Sequence, residues 1–330
     1  MESVARLPPT DRRDLFAETA ARKGMTPAIV EKDFWVCWTL GRLFTHPELS
    51  RLLMFKGGTS LSKVFNLIER FSEDIDLILD WRVVTDVDDP LTVRSKSGQE
   101  KLNATIDARA LQYIAGDLLE MVAGAVEPVC RCELSDSDPH AINIVYPAAF
   151  SDAYLRPAVL LEIGPLAAWL PSDTFQIRPY AAEAFPQLFK QATSAVQAIR
   201  AERTFWEKAT ILHYEANRPE GSSQPTRYSR HYYDLAMMAV APVKDVALAD
   251  LALLEDVANF KQRFYPRGWA RYDQAVPGTF RLVPSGYVLP ALAKDYAQMR
   301  NMIFGRYPNF EEMMEMLRKL ETEINKPHRR

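Results

Sequence analysis

The chain has 330 residues, enough for two domains that each bury a core, and its apolar and charged fractions are those of a globular protein. A net charge of -3 argues against indiscriminate nucleic-acid binding, while basic clusters such as Arg218, Arg227 and Arg230 leave room for a local phosphate-binding groove. No apolar run approaches the ~20 residues of a membrane span, the N-terminus has no signal-peptide core, and three cysteines without a CxxC pair indicate neither a disulfide framework nor a zinc site, so the expected address is the cytoplasm.

Pro9-Thr10-Asp11 opens a helix to about Lys23, with Thr10 its candidate cap. A second helix is expected from Thr26-Pro27 to Phe44, where Ile29, Val30, Phe34, Cys37, Trp38 and Leu40 recur at helical spacing. Glu31 and Lys32 inside it read as a first-turn acid and a surface charge.

From Phe55 to Asp80 the pattern changes to FKGGTSLSKVFNLIERFSEDIDLILD. It reads as strand, Gly-Gly turn, helix and strand. Gly57 and Gly58 have no Cβ, so a bulky anion can approach their N–H groups, and Thr59 or Ser60 is placed to cap the helix that follows. Lys56 precedes the glycines and can reach the same anion. Asp74 and Asp76 alternate on the strand, so both leave one face, roughly 7 Å apart along the backbone. Two such carboxylates suit Mg²⁺, a hard cation that shares its oxygen ligands with substrate phosphates. Ser72 faces the same side. The local expectation is a nucleoside triphosphate (NTP) held by glycines and metal.

Downstream, an irregular connection leads to a long helix over 98–124. Three strand-like runs follow at 127–133, 141–146 and 158–163. Glu162 stands alone in the third, AVLLEIG, where an ionised carboxylate is costly unless paired or bound to a metal. From 185 onward the reading is helical, including 195–217, 228–240, 246–264 and a terminal amphipathic helix over 310–324. A division near 180 is expected, into 1–180 and 181–330. In RTFWEKATILHYEA, Lys208 lies along the apolar face and either snorkels or enters a polar cleft. In SRHYYDLAMMAVA, Asp234 precedes an apolar run, and spacing alone favours a helix pair with Arg230.

The joint pattern GGTSL at 57–61 and RFSEDIDL at 70–77 resembles the first motif of the AbiEii/AbiGii (MenT-like) nucleotidyltransferase toxins. The resemblance extends to EKDFWV, to Lys208 on a helix and to Asp234 ahead of Leu235. It implies an α+β protein: a mixed sheet of the nucleotidyltransferase (polymerase beta-like) fold flanked by helices, with a mainly helical C-terminal domain. It also implies a Mg²⁺-dependent nucleotidyltransferase, with Asp74, Asp76 and Glu162 holding one or two ions. Lys208 would bind a phosphate, and Asp234 would orient Lys208 or act as a base. The implied setting is a toxin-antitoxin or phage-defence (abortive infection) pair with a cognate antitoxin. The implied acceptor is the 3′ end of tRNA, whose extension would block translation. Two rivals keep other chemistries open: transfer to a Tyr, Ser or Thr hydroxyl of a protein, and a non-catalytic nucleotide-binding module.

Overall fold

The computed structural model describes residues 1–86, 91–151 and 155–326. The chain divides into two compact units. The first comprises Met1–Val64 and Phe71–Ile199, and the second comprises Phe65–Arg70 and Arg200–Arg330.

Unit 1 is built on a seven-stranded sheet. Its strands are β1 (Leu53–Lys56), β2 (Asp74–Leu79), β3 (Arg131–Leu134), β4 (Ala141–Val145), β5 (Ala158–Gly164), β6 (Ser172–Ile177) and β7 (Ser194–Ile199). They lie in the order β3-β4-β5-β2-β1-β7-β6. The sheet is mixed: β2 pairs with β5, and β1 with β7, in parallel, while the other neighbours are antiparallel.

The two faces of the sheet differ because side chains alternate along each strand. Leu53, Phe55, Ile75, Leu77, Leu79, Val159, Leu161, Ile163, Val196 and Ala198 enter the main core. Packed over them are α1 (Pro9–Lys23), α2 (Pro27–Thr45), α4 (Lys96–Tyr113) and α5 (Leu119–Val126), with α3 (Gly57–Lys63) bridging β1 and β2. The other face carries a small apolar patch of Met54, Ile78 and Ile199, against which Ala167 and Trp169 pack. Beside that patch run the half-buried Asp74 and Asp76 of β2 and Glu162 of β5. The faces are thus apolar inside and acidic outside.

Several elements differ from the sequence reading, each for a physical reason. Pro8, not Thr10, precedes α1, and Thr10 lies inside the helix with its hydroxyl on Asp11. Thr26 does cap α2, accepting from Ile29 N. The long helix over 98–124 is interrupted at Ile114–Leu118, where Gly116 leaves helical geometry. The stretch 194–199, expected to be helical, is β7. Its Ala and Gln favour a helix in isolation, but pairing on both edges, with β1 and β6, decides the conformation. Strand β6 is likewise not anticipated by pattern.

Unit 2 is helical and centres on α6 (Ala201–Ala216). Around it pack α7 (Ser229–Met238), α8 (Val243–Ala249) and α9 (Leu251–Phe264), and α7 is backed by α10 (Leu289–Gln298) and α11 (Phe310–Ile324). Asp250 accepts from Leu253 N and separates α8 from α9, which the pattern joined. The entry to α7 is fixed from α10: Asp295 accepts from Arg227 N at 2.7 Å and Ser229 N at 2.8 Å. Segment Phe65–Arg70 joins this unit through backbone pairing of Arg70 with Ile303 and a bond from Arg306 N to Glu69 Oε2 at 2.7 Å. Gly305 permits that approach, since a Cβ there would lie 2.1 Å from the Glu69 side chain.

His213 of α6 is fully buried between two backbone partners. Its Nε2 donates to Arg271 O at 2.9 Å, and its Nδ1 accepts from Arg281 N at 3.0 Å. This neutral tautomer is satisfied at both nitrogens, and burial holds its pKa below the ordinary value of 6.5. The unfolded chain therefore binds the proton more readily, so stability is full above about pH 6.5 and is lost as the pH falls below it. We expect the melting temperature to drop between pH 7.5 and 5.5, with a shallower drop in His213→Gln; equal slopes would assign the effect to other groups.

Among the described residues, no helix is long and apolar enough to cross a membrane.

Candidate active site

The glycine turn is built between β1 and α3. Gly57 adopts φ +83°, and a Cβ on it would lie 1.8 Å from Asp76 Oδ2. Two independent constraints therefore require glycine here: the left-handed backbone and the carboxylate packed against it. Gly57→Ala should displace Asp76 or distort the turn. We expect loss of activity of at least about 100-fold, in line with the cost of a 1 Å misplacement, in a protein whose circular dichroism is unchanged; an active, folded Gly57→Ala would remove Gly57 from the site.

Thr59 and Ser60 do not cap α3 as the spacing suggested. Lys56 occupies the cap position, without a side-chain cap bond, and the two hydroxyls are buried within the helix. Thr59 Oγ1 donates to Asp74 O at 2.5 Å and Ser60 Oγ to Gly57 O at 2.8 Å. Thr59 thus ties the helix to the start of β2, and Ser60 closes the turn. Half-buried Ser72 lies on the lead into β2, its carbonyl 3.4 Å from Thr59 Oγ1.

Strand register gathers the acids. Lys56 of β1 is opposite Asp76 of β2, and Asp76 is opposite Glu162 of β5. Residues opposite one another project to the same face, so Lys56, Asp76 and Glu162 form a row, with Asp74 two residues along from Asp76. Like charges so close are tolerated beside a cation. The donors are all oxygen, as a hard ion requires. Among the described residues, no group of three or more His, Cys, Asp or Glu side chains is arranged as a ready metal cage. Two strand carboxylates suit an ion that completes its shell with phosphate oxygens and water.

The surrounding charges are buried rather than solvated. Glu31, Lys32 and Asp33, in α2, are each at most 3% exposed. Glu31 accepts from Ala149 N and Phe150 N, and burial raises its pKa against the pull of those bonds. Lys32 Nζ reaches Glu73 at 3.2 Å and Arg156 O at 3.1 Å, pinning the residue before Asp74. Asp33 pairs with Lys63 at 2.6 Å, with Lys63 also over the Tyr180 ring at 3.8 Å. Despite burial, that pairing keeps Lys63 charged and anchors α3 to α2. The surface reading of this stretch is therefore corrected: α2 is enclosed on nearly all sides, and each charge has a fixed partner.

In unit 2, Lys208 of α6 and Asp234 of α7 meet at 2.8 Å. Asp234 is fully buried, and its partner from elsewhere in the chain is Arg70, not the helix neighbour Arg230. Arg70 Nε donates to Oδ1 at 2.7 Å and Nη2 to Oδ2 at 2.9 Å. Burial opposes ionisation of Asp234, but Arg70 and Lys208 outweigh it and hold the carboxyl well below the usual range. Burial lowers the pKa of Lys208, and Arg70 adds to that effect. Arg70 is the partner of Asp234 that spacing missed, although it is the first residue of the RFSEDIDL pattern.

A glycine turn set against strand carboxylates on a mixed sheet has the chemistry that a nucleotidyltransferase needs to hold a triphosphate. The chain belongs to the nucleotidyl transferase AbiEii toxin family of type IV toxin-antitoxin systems, which matches residues 38–316. No curated protein matches it. Among solved structures, it is similar to MenT4, a nucleotidyltransferase toxin from Mycobacterium tuberculosis H37Rv, at 17% identity over 94% of this chain and 97% of that one, with a TM-score of 0.45.

Proposed function

We propose that the chain transfers a nucleotide from an NTP to the 3′ end of tRNA, with Mg²⁺ held by Asp74 and Asp76 and, on the same face, by Glu162. The observation that most supports this is the row Lys56, Asp76 and Glu162, with Gly57 packed against the Asp76 carboxylate. Bound there, one or two metal ions would neutralise the triphosphate and activate the attacking hydroxyl. Lys56 and the N–H groups of Gly57 and Gly58 would line the phosphates, with Ser72 at their margin. Thr59 and Ser60 would act by holding the turn, their hydroxyls being spent on backbone carbonyls. Lys208 would take a phosphate as a point charge. Asp234 suits an orienting role better than that of a base, because both its oxygens are engaged and its proton affinity is depressed. The attacking hydroxyl would form its bond to the α-phosphorus as the bond to pyrophosphate breaks.

Blocked tRNA would halt translation, a cytoplasmic role consistent with phage defence, and the cognate antitoxin would relieve it. The test supplies each labelled NTP with Mg²⁺ to total tRNA and to lysate protein. Label should enter RNA at its 3′ end and release pyrophosphate, resist protease and yield to nuclease. Label retained on protein would move the acceptor to a side-chain hydroxyl, and binding without pyrophosphate release would end the enzymatic reading.

A further inference from the structure

The geometry points to His231 as the positioning residue for Lys208, holding the ammonium so that one oriented N–H remains for a phosphate oxygen. The inference rests on the proposed role of Lys208 as a phosphate contact.

Lys208 is 7% exposed, so its three N–H bonds need partners inside the protein or on a ligand. Asp234 Oδ2 takes one at 2.8 Å. His231 Nδ1, on the same face of α7 one turn earlier, lies 3.1 Å from the same Nζ. An ammonium cannot accept, so Nδ1 must, and the ring proton is then on Nε2. With two directions taken, tetrahedral geometry fixes the third.

The rest of the pocket keeps this state. The charged groups around the imidazole are Lys208 from α6, Arg70 from the returning segment, and Arg230 and Asp234 from α7 itself. Burial, then Lys208 and Arg230, push the imidazole pKa well below its ordinary value, so the ring stays a neutral acceptor. Tyr228 holds its plane from the side, with ring centroids 4.8 Å apart at 78°. Asp234 is already matched by Arg70, so the ammonium's charge is not cancelled. The arrangement presents one oriented, uncompensated cation, which suits a phosphate oxygen. A second carboxylate in place of His231 would orient the ammonium as well, but would cancel its charge.

The test uses two replacements in the full chain. His231→Asn keeps an acceptor near the Nδ1 position, and His231→Phe keeps ring volume without one. With ¹⁵N-labelled lysine, and the Lys208 signal assigned by its loss in Lys208→Met, the ammonium resonance should be visible and exchange-protected in wild type and His231→Asn. It should vanish or shift in His231→Phe. In the transfer assay, His231→Phe should lose roughly 10- to 100-fold in kcat, as for a misplaced group, with His231→Asn recovering most of it. A folded His231→Phe with an unchanged resonance overturns the proposal, as does His231→Asn failing as badly as His231→Phe. Should Lys208→Met keep full transfer activity, the phosphate role of Lys208 falls, while the resonance still reports whether His231 holds the ammonium.

Discussion

Asp76→Asn should reduce nucleotide transfer by about three orders of magnitude, the loss expected when a metal-binding charge worth several kcal/mol is removed, while leaving the protein folded. Asparagine has the shape of aspartate, so the contact with Gly57 survives and only the charge goes. Asp76 lies in the row between Lys56 and Glu162, so its loss removes a carboxylate that faces another carboxylate. Relief of that repulsion should keep the melting temperature equal to wild type or slightly above it. Asp74→Asn should behave alike, since Asp74 shares the face and strand. Glu162→Gln should lose less than either, because it stands on the neighbouring strand beyond Asp76. Pyrophosphate release and a melting curve on the same preparations decide the matter. Full activity in a folded Asp76→Asn would remove the carboxylates from the chemistry, and a Glu162 variant as dead as the aspartate variants would make it an equal ligand.

The parts of the structure legible in advance are those written locally. The run from Phe55 to Asp80 carries its own turn chemistry and its own alternation, so strand, glycine turn, helix and acidic strand could be placed from neighbours alone. The amphipathic helix over 310–324 was legible for the same reason, and it appears as Phe310–Ile324. What escaped is set by distant partners. Strand β7 is a strand because β1 and β6 flank it, and nothing within Ser194–Ile199 outweighs its helix-forming Ala and Gln except a brief alternation. Glu31, Lys32 and Asp33 occupy successive positions and so point in three directions around α2. Burying all three requires partners at Ala149, Glu73 and Lys63, none of them close in sequence. Apolar residues recurring around α2 as far as Leu43 were the available signal. Lys208 and Asp234 stood out as charges in apolar company, but their meeting and the hold of Arg70 on Asp234 depend on how α6, α7 and segment Phe65–Arg70 pack.

Arg70→Ala should be among the most destabilising substitutions in the chain. Asp234 is wholly inaccessible to water, and Arg70 supplies two of the three charged bonds that compensate its burial. Breaking a buried pair from one side leaves an uncompensated charge, which costs about 3–5 kcal/mol. Lys208 cannot make up the difference, since it bonds Oδ2 while Oδ1 loses the Arg70 Nε donor. Arg70→Lys should rescue little, because a point charge cannot reproduce the two-pronged contact with Oδ1 and Oδ2. The informative control removes both sides. In Arg70→Met with Asp234→Leu and Lys208→Met, no buried charge of the trio remains, and stability should return toward wild type even though transfer is abolished. Urea titrations of the four proteins give the comparison. Equal midpoints for wild type and Arg70→Ala would mean that Asp234 is held without Arg70. A triple variant no more stable than Arg70→Ala would mean that the arginine's packing, rather than its charge, is what unit 2 requires.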